Sequence, residues 1–412
     1  MRDQAPQTHA PQRLEYLDAA RGLAATTVIF SHFVNSFNMI PPLEFTSSSI
    51  FHLWWDGFAA VSFFFVLSGY VLSRKYVQGE NAARPLNFAL RSYFVTRVFR
   101  IYAPFLCILF LSIALQALNA HHGLDIETIP ASTGWIQSFW NEPITWHTFK
   151  KQADLFTTAA YFKLMPQAWS LQVEIVLSLY LPILLMLVRQ GFGWTVFFMT
   201  LGTYGFGLMP SFFFFHFILG IYLARTEATT RAWWLRQGFW LKLGFVAAAL
   251  VLYAGRFSFG WSINNYLTKD SQIWMVTGLG SAMLILAIMH SKTLQKQLSR
   301  PVLLFVGRIS YSVYLTHMIV LVCLVPLVFK ALNTMGVEQL SPSWMAGLLS
   351  LLFGTIGLAY LSYTYIEVPC MKLGKRVDSW ITGWLRARQE RRDAVDFARE
   401  ATKAKAMSTP KV

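Results

Sequence analysis

The chain has 412 residues, 55% of them hydrophobic, 16% aromatic and 13% charged, with a net charge of +15. A soluble chain of ordinary composition carries about 25% charged residues, so these proportions exclude a water-soluble enzyme and point to a polytopic membrane protein. The excess of Lys and Arg lies between apolar runs and in the tail, where the positive-inside rule and anionic lipid account for it without nucleic acid as a partner.

A crossing needs about 20 apolar residues, and segmentation on that length gives about ten candidate spans: 17–39, 54–73, 99–119, 169–188, 192–208, 211–225, 241–255, 273–290, 309–329 and 344–366. The fifth to seventh are short for independent crossings. The expected fold is an all-α, polytopic helical bundle. The start is polar and the first span has no small-residue cleavage site, so it reads as a retained helix rather than a signal peptide. With the N-terminus inside, the basic segments 74–98, 226–240 and 291–308 and the tail face the cytoplasm. The outer segments 40–53 and 330–343 hold only Lys330 between them. Both termini are then cytoplasmic.

The first span opens the chemistry. In "LDAARGLAATTVIFSHF", Arg21 stands eleven residues before His32. That spacing is about 16 Å of rise and brings both side chains within roughly 20° of one helix face. A charge within a span costs roughly 2.5–3.5 kcal/mol, which makes it a functional candidate by default. A long ligand with an anionic head fits this face, its head at Arg21 and its far end at His32. The small residues between them, Gly22, Ala24, Ala25 and Ser31, suit either a groove or close helix packing. In the second span, Ser68 and Gly69 read as a close-packing pair.

At the mouth of the third span, Arg97 and Arg100 are three residues apart and share a face. With Arg21 they can form a fork for phosphate, although positive-inside anchoring explains the two equally well. The long outer segment 120–168 is rich in aromatics, among them Trp135, Phe139, Trp140 and Trp146. It reads as a lid over a cavity or as an interfacial belt. The pair His121 and His122 lacks a third ligand at a metal-site spacing, so no metal is expected. Glu174 is placed at the outer end of the fourth span, where a carboxylate can orient a hydroxyl acceptor or His32. In the ninth span, His317 reads as a packed neutral imidazole or as cavity-lining, with Ser310 and Tyr311 as neighbouring donors. Past Lys372 the tail is charged. Trp380, Ile381, Trp384 and Leu385 share a helical face there, which suits an interfacial helix on anionic lipid.

These motifs together resemble the acyltransferase-3 family of integral membrane acyltransferases. The carriers are the Arg21–His32 opening, "VSFFFVLSGYVLS", "RVFRIYAP" with Arg97 and Arg100, "WSLQVEIVLSLYLP" with Glu174, "GRISYSVYLTH" with Ser310, Tyr311 and His317, and "YIEVP" with Glu367. Residues 190–300 carry no usable family motif. Ser62 stands where some members have an acid, and Ala20 where Leu is common. The resemblance implies a membrane acyltransferase domain over 1–371, a cytoplasmic tail over 372–412, and a multi-pass protein of the plasma (inner) membrane. It also implies transfer of an acyl group, usually acetyl, from acyl-CoA to a hydroxyl of a saccharide or small metabolite. His32 is then the catalytic residue, as general base or transient acyl carrier, with Glu174 assisting and Arg21, Arg97 and Arg100 binding the donor. A transporter or flippase of a lipid-linked saccharide or anionic metabolite is the competing reading; matching halves with broken helices, its sequence hint, are not seen.

Overall fold

The computed structural model describes residues 14–38, 40–44, 46, 50–78, 90–118, 132–157, 162–191, 194–195, 212–255, 270–337 and 340–407. Apolar runs without internal charge form helices because only a helix satisfies its own backbone in lipid. The main described helices are α1 (Glu15–Ser36), α2 (Gly57–Val77), α3 (Leu90–Ala117), α4 (Ala168–Gln190), α5 (Phe212–Arg225), α6 (Phe239–Tyr253), α7 (Asp270–His290), α8 (Pro301–Cys323) and α9, which runs from Leu340 to Met407; shorter helices, such as Glu227–Arg236 and Val325–Thr334, link them. Among the described residues, six helices, α2, α3, α4, α7, α8 and α9, are long and apolar enough to cross a membrane, and α5 and α6 are shorter apolar helices; α1, expected as the first span, is not among the six, its first turns carrying Glu15, Asp18 and Arg21. The protein is an all-helical, polytopic membrane protein. The span expected over 192–208 lies almost entirely outside the described residues, as do His121 and His122.

Two boundaries differ from the sequence expectation. The ninth span begins at Pro301 rather than 309. Proline suits the first helical turn, where its missing N–H has no partner to lose, and Arg308 is accommodated because it points outward while Gly307, Ile309 and Ser310 are buried. The helix that carries the last span does not end there: α9 runs through residue 371 into the tail. Its tail part is held against the first turns of α3, where Asp378 pairs with Arg91 (3.5 Å) and accepts from Ser92 Oγ (2.8 Å). Trp380, Trp384 and Leu385 remain exposed.

Small residues set the closest packing. A Cβ on Gly22 would stand 2.7 Å from the Gly307 nitrogen, and one on Gly307 would stand 2.5 Å from the Asp18 carbonyl oxygen. Backbone therefore meets backbone where α1 crosses α8. The stretch between Arg21 and His32 is a packing face there, with Ala24 and Ala25 buried. The contacts Asp18–Gly307, Arg21–Ser310 and His32–His317 follow one another in the same order on both helices, so α1 and α8 run parallel. Helices α2 and α5 lock in the same way, Gly69 against the Phe217 carbonyl and Gly220 against that of Val66. Gly69 is thus a packing residue, as its motif suggested.

The aromatic segment after α3 folds back over the end of α1. Thr133 N–H donates to the Ser36 carbonyl (2.9 Å), and Phe37 and Ser132 form an isolated antiparallel bridge. Trp140 is fully buried, donates from Nε1 to the Leu164 carbonyl (2.9 Å), and has its own carbonyl capped by Gln116 (3.0 Å). These bonds hold Trp140 at φ 59°, a left-handed conformation that a bulky residue adopts only when its surroundings dictate it. Trp146 and Phe156, by contrast, are exposed. One part of the segment is therefore packed as a cover and another part is open.

Candidate active site

The site is built in two tiers between α1, α3, α4, α8 and α9. The lower tier holds charges. Arg21 Nε donates to Ser310 Oγ (2.9 Å), and its Nη2 reaches Asp18 Oδ1 (3.1 Å) and the Gly307 carbonyl (3.4 Å). Arg97 Nη2 bonds Glu174 Oε1 (2.9 Å) and Ser178 Oγ (2.8 Å). Glu174 lies six residues past Ala168, the first residue of α4. Its charge is matched to Arg97, not to His32. The reason is geometric: side chains of Tyr93 and Arg97 on α3 reach Ser178 and Glu174 on α4, so the carboxylate meets the nearest opposite charge.

Arg100 differs from the other two guanidinium groups. Among the described residues it makes no hydrogen bond or ion pair, it is exposed, and it lies within electrostatic reach of Arg21, Arg97, Glu174 and Glu367. Glu367 is 5% exposed and accepts from Ser312 Oγ (2.7 Å). Tyr311 is tied down as well, its hydroxyl donating to the Ile101 carbonyl (2.6 Å). Both Arg100 and Glu367 stand on π-helical turns, Val98–Tyr102 and Tyr363–Glu367. Such turns are rare and concentrate at functional sites. Spacing arguments based on 3.6 residues per turn do not register them.

The upper tier is an imidazole pair. His32 Nδ1 is 2.8 Å from His317 Nε2, with ring centroids 4.9 Å apart. His317 Nδ1 faces only carbonyl oxygens, Tyr314 O at 2.9 Å and Val313 O at 3.3 Å. Carbonyls accept, so Nδ1 of His317 carries the hydrogen and a neutral ring leaves Nε2 as the acceptor. His32 Nδ1–H is then the donor, and its Nε2 holds the free lone pair; the tautomers are assigned from the network. Nε2 of His32 has no protein partner among the described residues and is not sealed off from open space. His317, fully buried, is a packed neutral imidazole as well as the acceptor that decides which nitrogen of His32 keeps its lone pair. Further bonds hold α8 to the start of α4, Tyr314 Oη to Ser170 Oγ (2.6 Å) and Gln167 Nε2 to the Leu315 carbonyl (2.9 Å). Trp135, from the folded-back segment, stands against His32 at 5.2 Å between ring centroids.

The arrangement joins the expected residues Arg21 and Ser310, Arg97 and Glu174, and His32 and His317. It leaves Tyr311 on the backbone of α3. The sequence did not disclose Ser178 as a partner of Arg97, the Gly22–Gly307 crossing, or the closeness of Trp135 to His32.

The structure thus places an imidazole pair above a tier of guanidinium groups and carboxylates within a polytopic helical bundle. Residues 14–364 match the acyltransferase domain that defines the acyltransferase 3 family. The chain belongs to that family, and membership implies acyltransferase activity with an acyl donor and an acceptor. It is also 27% identical over 397 residues to "Nodulation protein 10" of Rhizobium leguminosarum bv. viciae, covering 89% of this chain and 95% of the relative. No solved structure matches it.

Proposed function

We propose that the protein is an O-acyltransferase that takes an acyl group, acetyl above all, from acyl-CoA at the cytoplasmic face and passes it to a hydroxyl of a saccharide or related acceptor at the outer side of the plasma membrane. The observation that carries this reading is the His32–His317 bond. It leaves His32 Nε2 as an open, correctly tautomeric base above a set of arginines. The parallel course of α1 and α8 supports a common orientation for both, and the positive-inside pattern puts their first turns in the cytoplasm.

Coenzyme A carries an anionic nucleotide end and a long arm ending in the thioester. Arg100, exposed and unpaired, is the first cation the phosphates meet. Arg97 and Arg21 are already held in position by Glu174 and Asp18, so little side-chain order is lost when they engage. The rise from Arg21 to His32, about 16 Å, matches the reach of the arm, which runs beside α1 rather than along the face that α8 covers. His32 Nε2 takes the proton of the acceptor hydroxyl as its oxygen attacks the thioester carbonyl. The tetrahedral intermediate collapses, the C–S bond breaks, and the departing CoA sulfur takes the proton back from His32. Ester and free CoA are the products.

The test is purified protein in nanodiscs with acetyl-labelled acetyl-CoA and an alcohol acceptor. General base catalysis contributes about 10²–10⁴-fold, so His32→Ala should lower label transfer by at least 100-fold. Full transfer by His32→Ala would overturn the reading, and uptake of label without ester formation would favour a carrier.

A further inference from the structure

We infer that Trp135 is an acceptor-specificity residue: the platform on which a pyranose ring of the acceptor lies while one of its hydroxyls reaches His32. The inference rests on the acyl-transfer reading above and adds the residue that seats the acceptor's sugar ring.

The geometry has three parts. First, Trp135 and His32 are immediate neighbours, 5.2 Å between centroids and tilted by 45°. Neither residue is fully buried, and Nε2 of His32 is not sealed off from open space. Second, Trp135 is held rigidly. Phe139 abuts it edge-on at 4.8 Å and 79°. Ile136, next to it, is 1% exposed, and Thr133 ties the turn to the end of α1 through the Ser36 carbonyl and, by its hydroxyl, the Asn35 carbonyl. Third, His32 Nδ1 is spent on His317, so the ring addresses substrate only through Nε2.

An aromatic face is electron-rich. The C–H groups on one face of a pyranose carry partial positive charge and form a flat apolar patch, while the hydroxyls project around its edge. A ring lying on Trp135 therefore offers its edge hydroxyls to an adjacent base. An acyclic alcohol has no such patch and gains nothing from the indole. A pocket with one aromatic wall and few polar groups orients its ligand in this way.

The experiment compares two amphiphilic acceptors in nanodiscs with labelled acetyl-CoA: dodecyl maltoside, which presents pyranose rings, and 1,2-dodecanediol, which presents hydroxyls without a ring. The wild type should favour the maltoside at least tenfold in kcat/KM. Trp135→Leu should bring that ratio close to one by raising the KM for the maltoside, with the KM for acetyl-CoA unchanged, and Trp135→Phe should keep most of the preference. A ratio that survives Trp135→Leu overturns the inference. So does a rise in the KM for acetyl-CoA, which would put the indole against the donor, and so does His32-dependent thioester hydrolysis with no transfer to the maltoside. Absence of both transfer and His32-dependent hydrolysis in the wild type would instead bring down the acyl-transfer reading beneath it.

Discussion

Replacing Gly307 by alanine tests the whole site from a residue that takes no part in its chemistry. The new Cβ would stand 2.5 Å from the Asp18 carbonyl oxygen and 2.6 Å from the Ala19 nitrogen, both backbone atoms that cannot swing aside. Ordinary contact begins at 3.4 Å, so α1 and α8 must part by about 0.9 Å at the crossing. Carried up the two parallel helices, that shift lengthens the 2.8 Å His32–His317 bond to about 3.7 Å, beyond the usual N–H hydrogen-bond range. Overpacking of this kind costs about 1–3 kcal/mol in stability. The larger effect is catalytic, because a misplacement of about 1 Å can cost 10²-fold in rate. Acetyl transfer by purified protein, measured beside its thermal midpoint, should show kcat down about 100-fold with a folded, slightly less stable chain. Arg308→Ala, which changes the neighbouring outward-facing position, serves as the control and should retain wild-type kcat. Wild-type kcat and thermal midpoint in Gly307→Ala would refute the reasoning, because the helices could not then be in backbone contact.

Three other outcomes follow from the same contacts. His317→Ala removes the acceptor that fixes the His32 tautomer, and kcat should fall by about 10² at unchanged acetyl-CoA KM; a change of less than twofold would detach His317 from the chemistry. Glu174→Gln leaves Arg97 a neutral partner and frees its charge for donor phosphate. If about 1 kcal/mol of competition is relieved, the acetyl-CoA KM should drop roughly fivefold, whereas a collapse of kcat at constant KM would make Glu174 a proton-transfer residue instead. Gly220→Ala places a methyl group on the Val66 carbonyl, so the thermal midpoint in detergent should fall clearly, and an unchanged midpoint would contradict the α2–α5 packing.

What could be read without the structure was what repeats along a single helix. Hydropathy marked the spans because lipid forbids unsatisfied backbone. The spacing of Arg21 and His32 put both on one face of α1 because helical periodicity is local. Motif order indicated the family over most of the chain. Partners were another matter. Nothing in the sequence around Glu174 names Arg97, 77 residues away, as the group that bonds it. His317 looked like a packed imidazole or a cavity wall because nothing in "GRISYSVYLTH" says that α1, 285 residues away in sequence, runs parallel to α8 in backbone contact. Arg100 and Glu367 stand on π-turns, whose altered register a 3.6-residue rule cannot anticipate. Charge, hydropathy and spacing are properties of neighbouring residues, and the sequence by itself determined them. Which imidazole meets which, which arginine stays free and which indole covers the base depend on the juxtaposition of helices distant in the chain, and packing of small residues at their crossings decided it.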